Sequence, residues 1–126
     1  MIEAAAPAEP RRVDKPWGHE LWFAHTEHYA GKLLVVHAGH RLSLQYHREK
    51  DESCYLLSGK LLLVQGPSAD ELEEVVLEPG VRWRNTPGVV HTIEAIEDAT
   101  VLEVSTPQLD DVVRLDDRYG RKDTQQ

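Results

Sequence analysis

The chain has 126 residues, a length that suits one domain with a buried core. Its formal net charge at pH 7 is −8. The acidic balance argues against nucleic acid or an anionic membrane as the main partner, but it does not exclude a small anionic ligand. No apolar run approaches the roughly 18 residues that a membrane-spanning helix needs. Cys54 is the only cysteine, so no intramolecular disulfide forms, and we expect a protein of the reducing cytoplasm.

The N-terminal residues 1–12 are rich in Ala and Pro and lack the apolar core of a signal peptide, which predicts a flexible tail. We expect the domain over residues 13–121 and a short C-terminal tail at 122–126. Many short apolar runs between turn residues favour an all-β sandwich or barrel. The predicted strands are 19–24, 32–37, 41–47, 53–58, 60–65, 73–77, 91–96 and 100–105.

Two further segments carry local predictions. Residues 58–60 stand between two apolar runs and predict a tight hairpin, because Gly59 supplies a positive φ. The segment 108–120 fits either a short helix or a strand. Its two acidic pairs, at 110–111 and 116–117, resemble catalytic carboxylates, but neighbours on a strand face opposite ways, so they are interpreted as a solvated acidic segment. Three aromatic side chains are interpreted as core, with a sugar-binding pocket as the alternative: Trp17, Tyr55 and Trp83.

Strand alternation in 41–47 predicts a polar inner face. Successive side chains point to opposite sides of a strand, so one side is apolar and the other is polar. The polar side carries Arg41, Ser43, Gln45 and His47. This pattern makes sense if the interior is a ligand cavity and the apolar side packs on another layer or subunit. By the same rule, Lys32 on a neighbouring strand can project into the cavity.

Four polar residues of the sequence, two of them on this strand, are suitable metal ligands. Gln45 and His47 share one strand face, Glu52 follows on the next strand, and His91 comes from a distant strand. Two imidazoles, a carboxylate and an amide oxygen suit a divalent first-row metal and leave coordination positions for substrate. The metal is left open among Zn, Mn, Co, Fe and Ni. Taken singly, each histidine is more often a structural or surface group, so the prediction depends on the four together.

The spacing of these residues resembles the two cupin motifs. Gly39, Gln45, His47, Glu52 and Gly59 follow the first motif, and Gly88 with His91 follows the second. The segments from Lys15 to Gly18 and from Asp110 to Arg121 narrow the resemblance to the cupin domain of type II mannose-6-phosphate isomerases. That resemblance implies a double-stranded β-helix, or jelly-roll barrel, with its metal on the four residues above. It also implies a homodimer, here as a free-standing cupin without the guanylyltransferase domain.

The resemblance implies an aldose–ketose isomerisation between mannose 6-phosphate and fructose 6-phosphate through an enediolate. The catalytic base stays open among a buried carboxylate, a metal-bound hydroxide and Lys32. Arg41 is the first candidate for the phosphate or oxyanion, because the guanidinium fork matches phosphate oxygens, and Lys32 and Arg84 come behind it. An ion pair at the rim of the cavity is an equal alternative for Arg41. The expected partner is therefore a small phosphorylated sugar or a related metabolite. Two alternatives stay open: a metal-dependent oxygenase on the same scaffold, and a non-catalytic module that binds a metal and a metabolite.

Overall fold

The computed structural model describes residues 4–121, and every regular element in that range is a β-strand. The strands are β1 (Arg11–Lys15), β2 (Gly18–His25), β3 (Ala30–Val36), β4 (Leu44–Tyr46), β5 (Glu52–Ser68), β6 (Glu71–Leu77), β7 (Arg82–Asn85), β8 (Val90–Ser105) and β9 (Val113–Asp116). The predicted C-terminal tail and residues 1–3 of the predicted N-terminal tail lie outside the described residues. Strand β1 begins at Arg11, two residues before the predicted start of the domain. No helix in the described range has the length and hydropathy of a membrane span.

The nine strands form one antiparallel sheet that curls into a barrel around the long strands β5 and β8. The C-terminal half of β8 pairs with β3, and β2 and β1 follow. Its N-terminal end pairs with β4, which in turn pairs with β9. Strand β5 pairs with β7 through its first residues and with β6 through its last. The predicted all-β jelly roll is confirmed.

The expected hairpin at residues 58–60 is wrong, because β5 continues through them without a chain reversal. Both β5 and β8 bend at this point and stay paired, with register shifts between Leu56 and Leu61. Gly59 has a φ of 90°, and a Cβ there would lie 2.1 Å from the carbonyl oxygen of Asp98 on β8. The glycine therefore allows two bent strands to approach closely, where the sequence pattern favoured a chain reversal.

The apolar core fills the barrel beside a cavity of about 400 Å³. Trp17 and Trp83 are buried in this core, which confirms the core interpretation, and both also line the cavity. Tyr55 is 41% exposed, which corrects its assignment to the core. Its neighbours Cys54 and Leu56 face inwards, and alternation then directs Tyr55 outwards.

Candidate metal centre

Three side chains from separate elements meet at one wall of the cavity. His47 follows β4, Glu52 begins β5, and His91 lies near the start of β8. The Nε2 atom of His47 is 3.2 Å from Oε1 of Glu52, and Nε2 of His91 is 3.4 Å from Oε2. All three residues are buried, and their ligand atoms lie within 4.8 Å of one another. The structure thus brings three of the four predicted ligands together.

The hydrogen bonds of the two imidazoles indicate which nitrogen faces the cluster. Nδ1 of His47 lies 2.6 Å from the carbonyl oxygen of Asp111, and Nδ1 of His91 lies 2.9 Å from that of Val89. A carbonyl only accepts, so each Nδ1 carries the proton and donates it. Each Nε2 then presents a lone pair, and both Nε2 atoms are buried without a hydrogen-bond partner among the described residues.

This arrangement fits a bound cation. Two imidazole lone pairs and a carboxylate face one another inside the barrel, which is unfavourable unless a positive charge lies between them. Metal-binding histidines usually donate their other ring N–H to a carbonyl or carboxylate, as both do here. Burial lowers the pKa of His91, which favours the neutral imidazole that binds metal. His47, Glu52 and His91 therefore form a metal-binding site, and its donor set accepts several divalent metals.

Gln45 lies beside this cluster. In the β4–β8 pair it stands directly opposite His91, and in the β4–β9 pair it stands opposite Arg114. Side chains of directly opposed residues project from the same face of a sheet. Gln45 accordingly lines the cavity on the same face as His91.

A buried cation, Lys50, adjoins the ligands, and the sequence interpretation did not single it out. Its Nζ lies 3.1 Å from Oε1 of Glu52 and 3.1 Å from Oε2 of Glu103. Burial alone would lower the pKa of Lys50, but the charges of Glu103 and Glu52 outweigh it and raise that pKa. Burial likewise would raise the pKa of Glu52, while its contact with His47 and the charge of Lys50 bring that pKa down. The sequence offers little signal for Lys50, because this residue precedes β5 and lies in irregular backbone where strand alternation does not apply.

Lys32 projects into the cavity as alternation predicted, but it is engaged in ion pairs. Its Nζ lies 3.1 Å from Oε1 of Glu20 and 3.7 Å from Oε2 of Glu103. Burial would raise the pKa of Glu20, while the charge of Lys32 and a hydrogen bond from Trp22 Nε1 lower it. The cavity wall therefore carries alternating buried charges, which run from Glu20 through Lys32, Glu103 and Lys50 to Glu52.

Arg41 and Arg84, the predicted anion contacts, lie elsewhere. Arg41 does not line the cavity; its Nε is 3.0 Å from Oε1 of Glu94, at an angle too poor for a hydrogen bond. It forms an isolated bridge before β4, and the irregular residues 42–43 break the alternation on which its placement depended. Leu42 consequently turns towards the core instead of away from it. Arg84 is exposed and binds Asp51 through two hydrogen bonds of 2.9 and 2.6 Å.

Asp111 holds the loop that carries His47, which corrects its interpretation as a solvated residue. Its carboxylate accepts hydrogen bonds from the backbone amides of Arg48, Glu49 and Lys50. Its backbone carbonyl oxygen accepts a hydrogen bond from the Nδ1–H group of His47. Asp111 therefore orients one ligand and anchors the turn between two, a contact across more than 60 residues that no local pattern reveals.

Comparison with known proteins gives distant relatives. No family model matches the chain. It is 31% identical over 130 residues to the xanthan biosynthesis protein XanB of Xanthomonas campestris pv. campestris, and the match covers 96% of this chain and 27% of XanB. It is 27% identical over 120 residues to mannose-1-phosphate guanylyltransferase 2 of Escherichia coli O157:H7, with 90% of this chain and 23% of that protein covered. The chain spans about a quarter of the length of these curated relatives.

Solved structures identify the architecture. KdgF from Halomonas sp. superposes with a TM-score of 0.70 at 20% identity, over 79% of this chain and 88% of that one. Oxalate decarboxylase of Bacillus subtilis, a protein described with Mn(II) centres, gives a TM-score of 0.71 at 21% identity, over 86% and 30% of the two chains. The chain has the cupin fold. At these identities the likeness concerns the fold alone, and the residues of this cupin must carry its chemistry.

Proposed function

We propose that this cupin is a metal-dependent sugar-phosphate isomerase that interconverts mannose 6-phosphate and fructose 6-phosphate. The observation that carries the proposal is the cluster of His47, Glu52 and His91, which opens onto a cavity lined by buried carboxylates and cations. The similarity to two proteins of xanthan and mannose-1-phosphate metabolism, as their names describe them, supports a carbohydrate ligand.

Each part of the cavity has a role in this reaction. His47, Glu52 and His91, with Gln45 beside them, would hold the metal. A divalent metal supplies electrophilic stabilisation of negative charge on substrate oxygens. Glu20 and Glu103 line the same cavity, and each keeps one carboxylate oxygen without a hydrogen bond from the described residues. These oxygens are the candidates for moving the proton between the two reacting carbons.

Lys32 and Lys50 are assigned a different role in this proposal. Both ammonium groups lie against carboxylates and line the cavity, so they stabilise the buried acids and the anionic substrate. Lys50 is held as a cation by Glu103 and Glu52, and a cation has no lone pair with which to remove a proton. Of the candidates for the base, the buried carboxylates are therefore the ones that the contacts favour.

Proton NMR in heavy water tests the activity. The protein, reconstituted in turn with Mn, Zn, Co and Fe, is incubated with mannose 6-phosphate beside the metal-free protein and the His91→Ala variant. Metal-dependent fructose 6-phosphate, with deuterium at the exchanging carbon, is the expected result. Loss of the product in Glu20→Gln or Glu103→Gln, with metal still bound, would identify the base. An absence of exchange with every metal would refute the isomerase, and tight sugar-phosphate binding without turnover would then indicate a binding module.

A further inference from the structure

Part of the cavity wall is lined by cationic side chains that the metal centre does not use. Lys15 ends β1, Arg114 lies on β9, and Arg121 follows β9. Arg121 is engaged, because its guanidinium binds both carboxylate oxygens of Asp117. Lys15 and Arg114 form no ion pair or side-chain hydrogen bond with any residue between 4 and 121.

Arg114 stands in register with the metal cluster. The cross-strand row runs from His91 on β8 through Gln45 on β4 to Arg114 on β9. Side chains along such a row share one face, and Gln45 and Arg114 both line the cavity. Neighbouring strands lie about 4.8 Å apart, so the backbone of Arg114 is roughly 10 Å from that of His91. A ligand with a chain of a few carbons can therefore contact both ends of this row.

The guanidinium of Arg114 has no partner within residues 4–121. Its Nε is buried from solvent and has no hydrogen-bond partner among the described residues. A buried donor that is not satisfied is costly, and natural structures keep one mainly where a ligand or water completes it. Arg118, which follows β9, is a useful contrast, because its two terminal nitrogens donate to the carbonyl of Gly39 and the carboxylate of Glu94.

Lys15 brings a second positive charge to the same region. Burial lowers the pKa of Lys15; Glu20 opposes this, while the charges of Lys32, Arg114 and Arg121 add to the lowering. Lys15 therefore lies close to other cations of the cavity wall, and the repulsion between them is relieved when an anion binds among them. Two such groups from different strands suit a dianion better than a single carboxylate.

We propose that Arg114 and Lys15 bind the phosphoryl group of the ligand whose other end lies at the metal centre. The planar fork of Arg114 donates to two phosphate oxygens, and the ammonium of Lys15 neutralises the remaining charge. The inference rests on the proposed function, because a sugar phosphate is the ligand that joins the two ends of the cavity. It moves the phosphate contact from Arg41, which lies outside the cavity, to a residue in register with the ligands.

Calorimetric titration of the metal-loaded protein tests this subsite. The probes are inorganic phosphate, a hexitol 6-phosphate, which has no carbonyl and cannot isomerise, and the same hexitol without phosphate. We expect Arg114→Gln to weaken binding of the hexitol phosphate by about tenfold to hundredfold, the value of a charge-assisted hydrogen bond. Arg118→Gln is the matched control and should bind like the wild type. The unphosphorylated hexitol should bind equally to all three proteins.

Two further variants keep the test independent of folding. Arg114→Lys retains the charge and should recover part of the affinity. Lys15→Gln should weaken binding of the hexitol phosphate and change the midpoint of thermal unfolding only slightly. Equal affinity of wild type and Arg114→Gln for the hexitol phosphate, or no binding of it to the wild type, would overturn the subsite.

The outcomes for the subsite and for the isomerase are distinguishable. Phosphate-dependent binding that needs Arg114, without any turnover, would retain the subsite and reject the isomerase. Turnover by Arg114→Gln with the same KM as the wild type would retain the isomerase and reject the subsite.

Discussion

Replacement of Asp111 by Ala tests whether this residue stabilises the loop 47–50, which carries the predicted ligand His47. The change removes three hydrogen bonds, of 3.0, 2.6 and 2.9 Å, from the amides of Arg48, Glu49 and Lys50 to one carboxylate. Hydrogen bonds to a charged group contribute roughly 1.5–3 kcal/mol each, so their sum is an upper bound of about 5–9 kcal/mol. Arg48 and Glu49 are exposed, and water can take over their amides. We therefore expect a loss of about 2–3 kcal/mol in the free energy of unfolding.

The assay is thermal unfolding followed by circular dichroism, with Asp110→Ala as the matched control. For a domain of this size, about 1 kcal/mol shifts the midpoint by roughly 3–4 °C, so Asp111→Ala should unfold about 6–12 °C lower. Asp110 is exposed, and its side chain makes no hydrogen bond within residues 4–121, so its replacement should change little. Metal affinity should fall about tenfold, because the loop no longer holds His47 in place. Equal midpoints for the two variants would refute the reasoning.

The pH dependence of the same variant gives an independent check. Burial would raise the pKa of Asp111, but the three amide hydrogen bonds lower it below its ordinary value of 3.8. A carboxylate with a depressed folded pKa contributes stability that is present above its unfolded pKa and is lost as the pH falls through the folded one. Between about pH 5 and 2, Asp111→Ala should lose less stability than the wild type. A parallel decline of both proteins would contradict this assignment.

Three other changes probe the site and the fold. His91→Ala should abolish stoichiometric metal binding, measured by elemental analysis, and lower the midpoint; retention of one metal per chain would reject this ligand. Lys50→Met should cost about 3–5 kcal/mol in urea unfolding, because it removes the buried cation that Glu52 and Glu103 share, and adding Glu103→Leu should regain part of the loss. Gly59→Ala should destabilise more than Gly80→Ala, since both have a positive φ but only Gly59 meets the backbone of a paired strand; similar losses would argue against close packing at the bend.

The local sequence determined the class of fold. Short apolar runs with period-two alternation and frequent turn residues can bury their faces only in a sheet layered or closed on itself, and that prediction holds. The bend at Gly59 was misread for a physical reason. A glycine with a positive φ serves a chain reversal and a close approach of two strands equally well, and only pairing with β8 distinguishes them.

The candidate site shows the same division between what the local sequence predicts and what the tertiary structure decides. Strand alternation puts Gln45 and His47 on one face, and the resemblance to the two cupin motifs adds Glu52 and His91 to the predicted ligand set. The structure brings His47, Glu52 and His91 within ligand distance, and it places Gln45 opposite His91. Arg41 lies outside the cavity, because the backbone before β4 is irregular and does not keep the alternation that the prediction assumes.

Only the tertiary structure decided what surrounds the ligands. Lys50 is a cation between Glu52 and Glu103, two acids that are 51 residues apart in the chain and become neighbours when β5 pairs with β8. Asp111 and Arg114 reach the site from the last strand region, through contacts across more than 60 residues. Periodicity describes which face a side chain takes on its own strand. Which strands meet, and hence which charges neutralise one another, depends on the burial of the whole core.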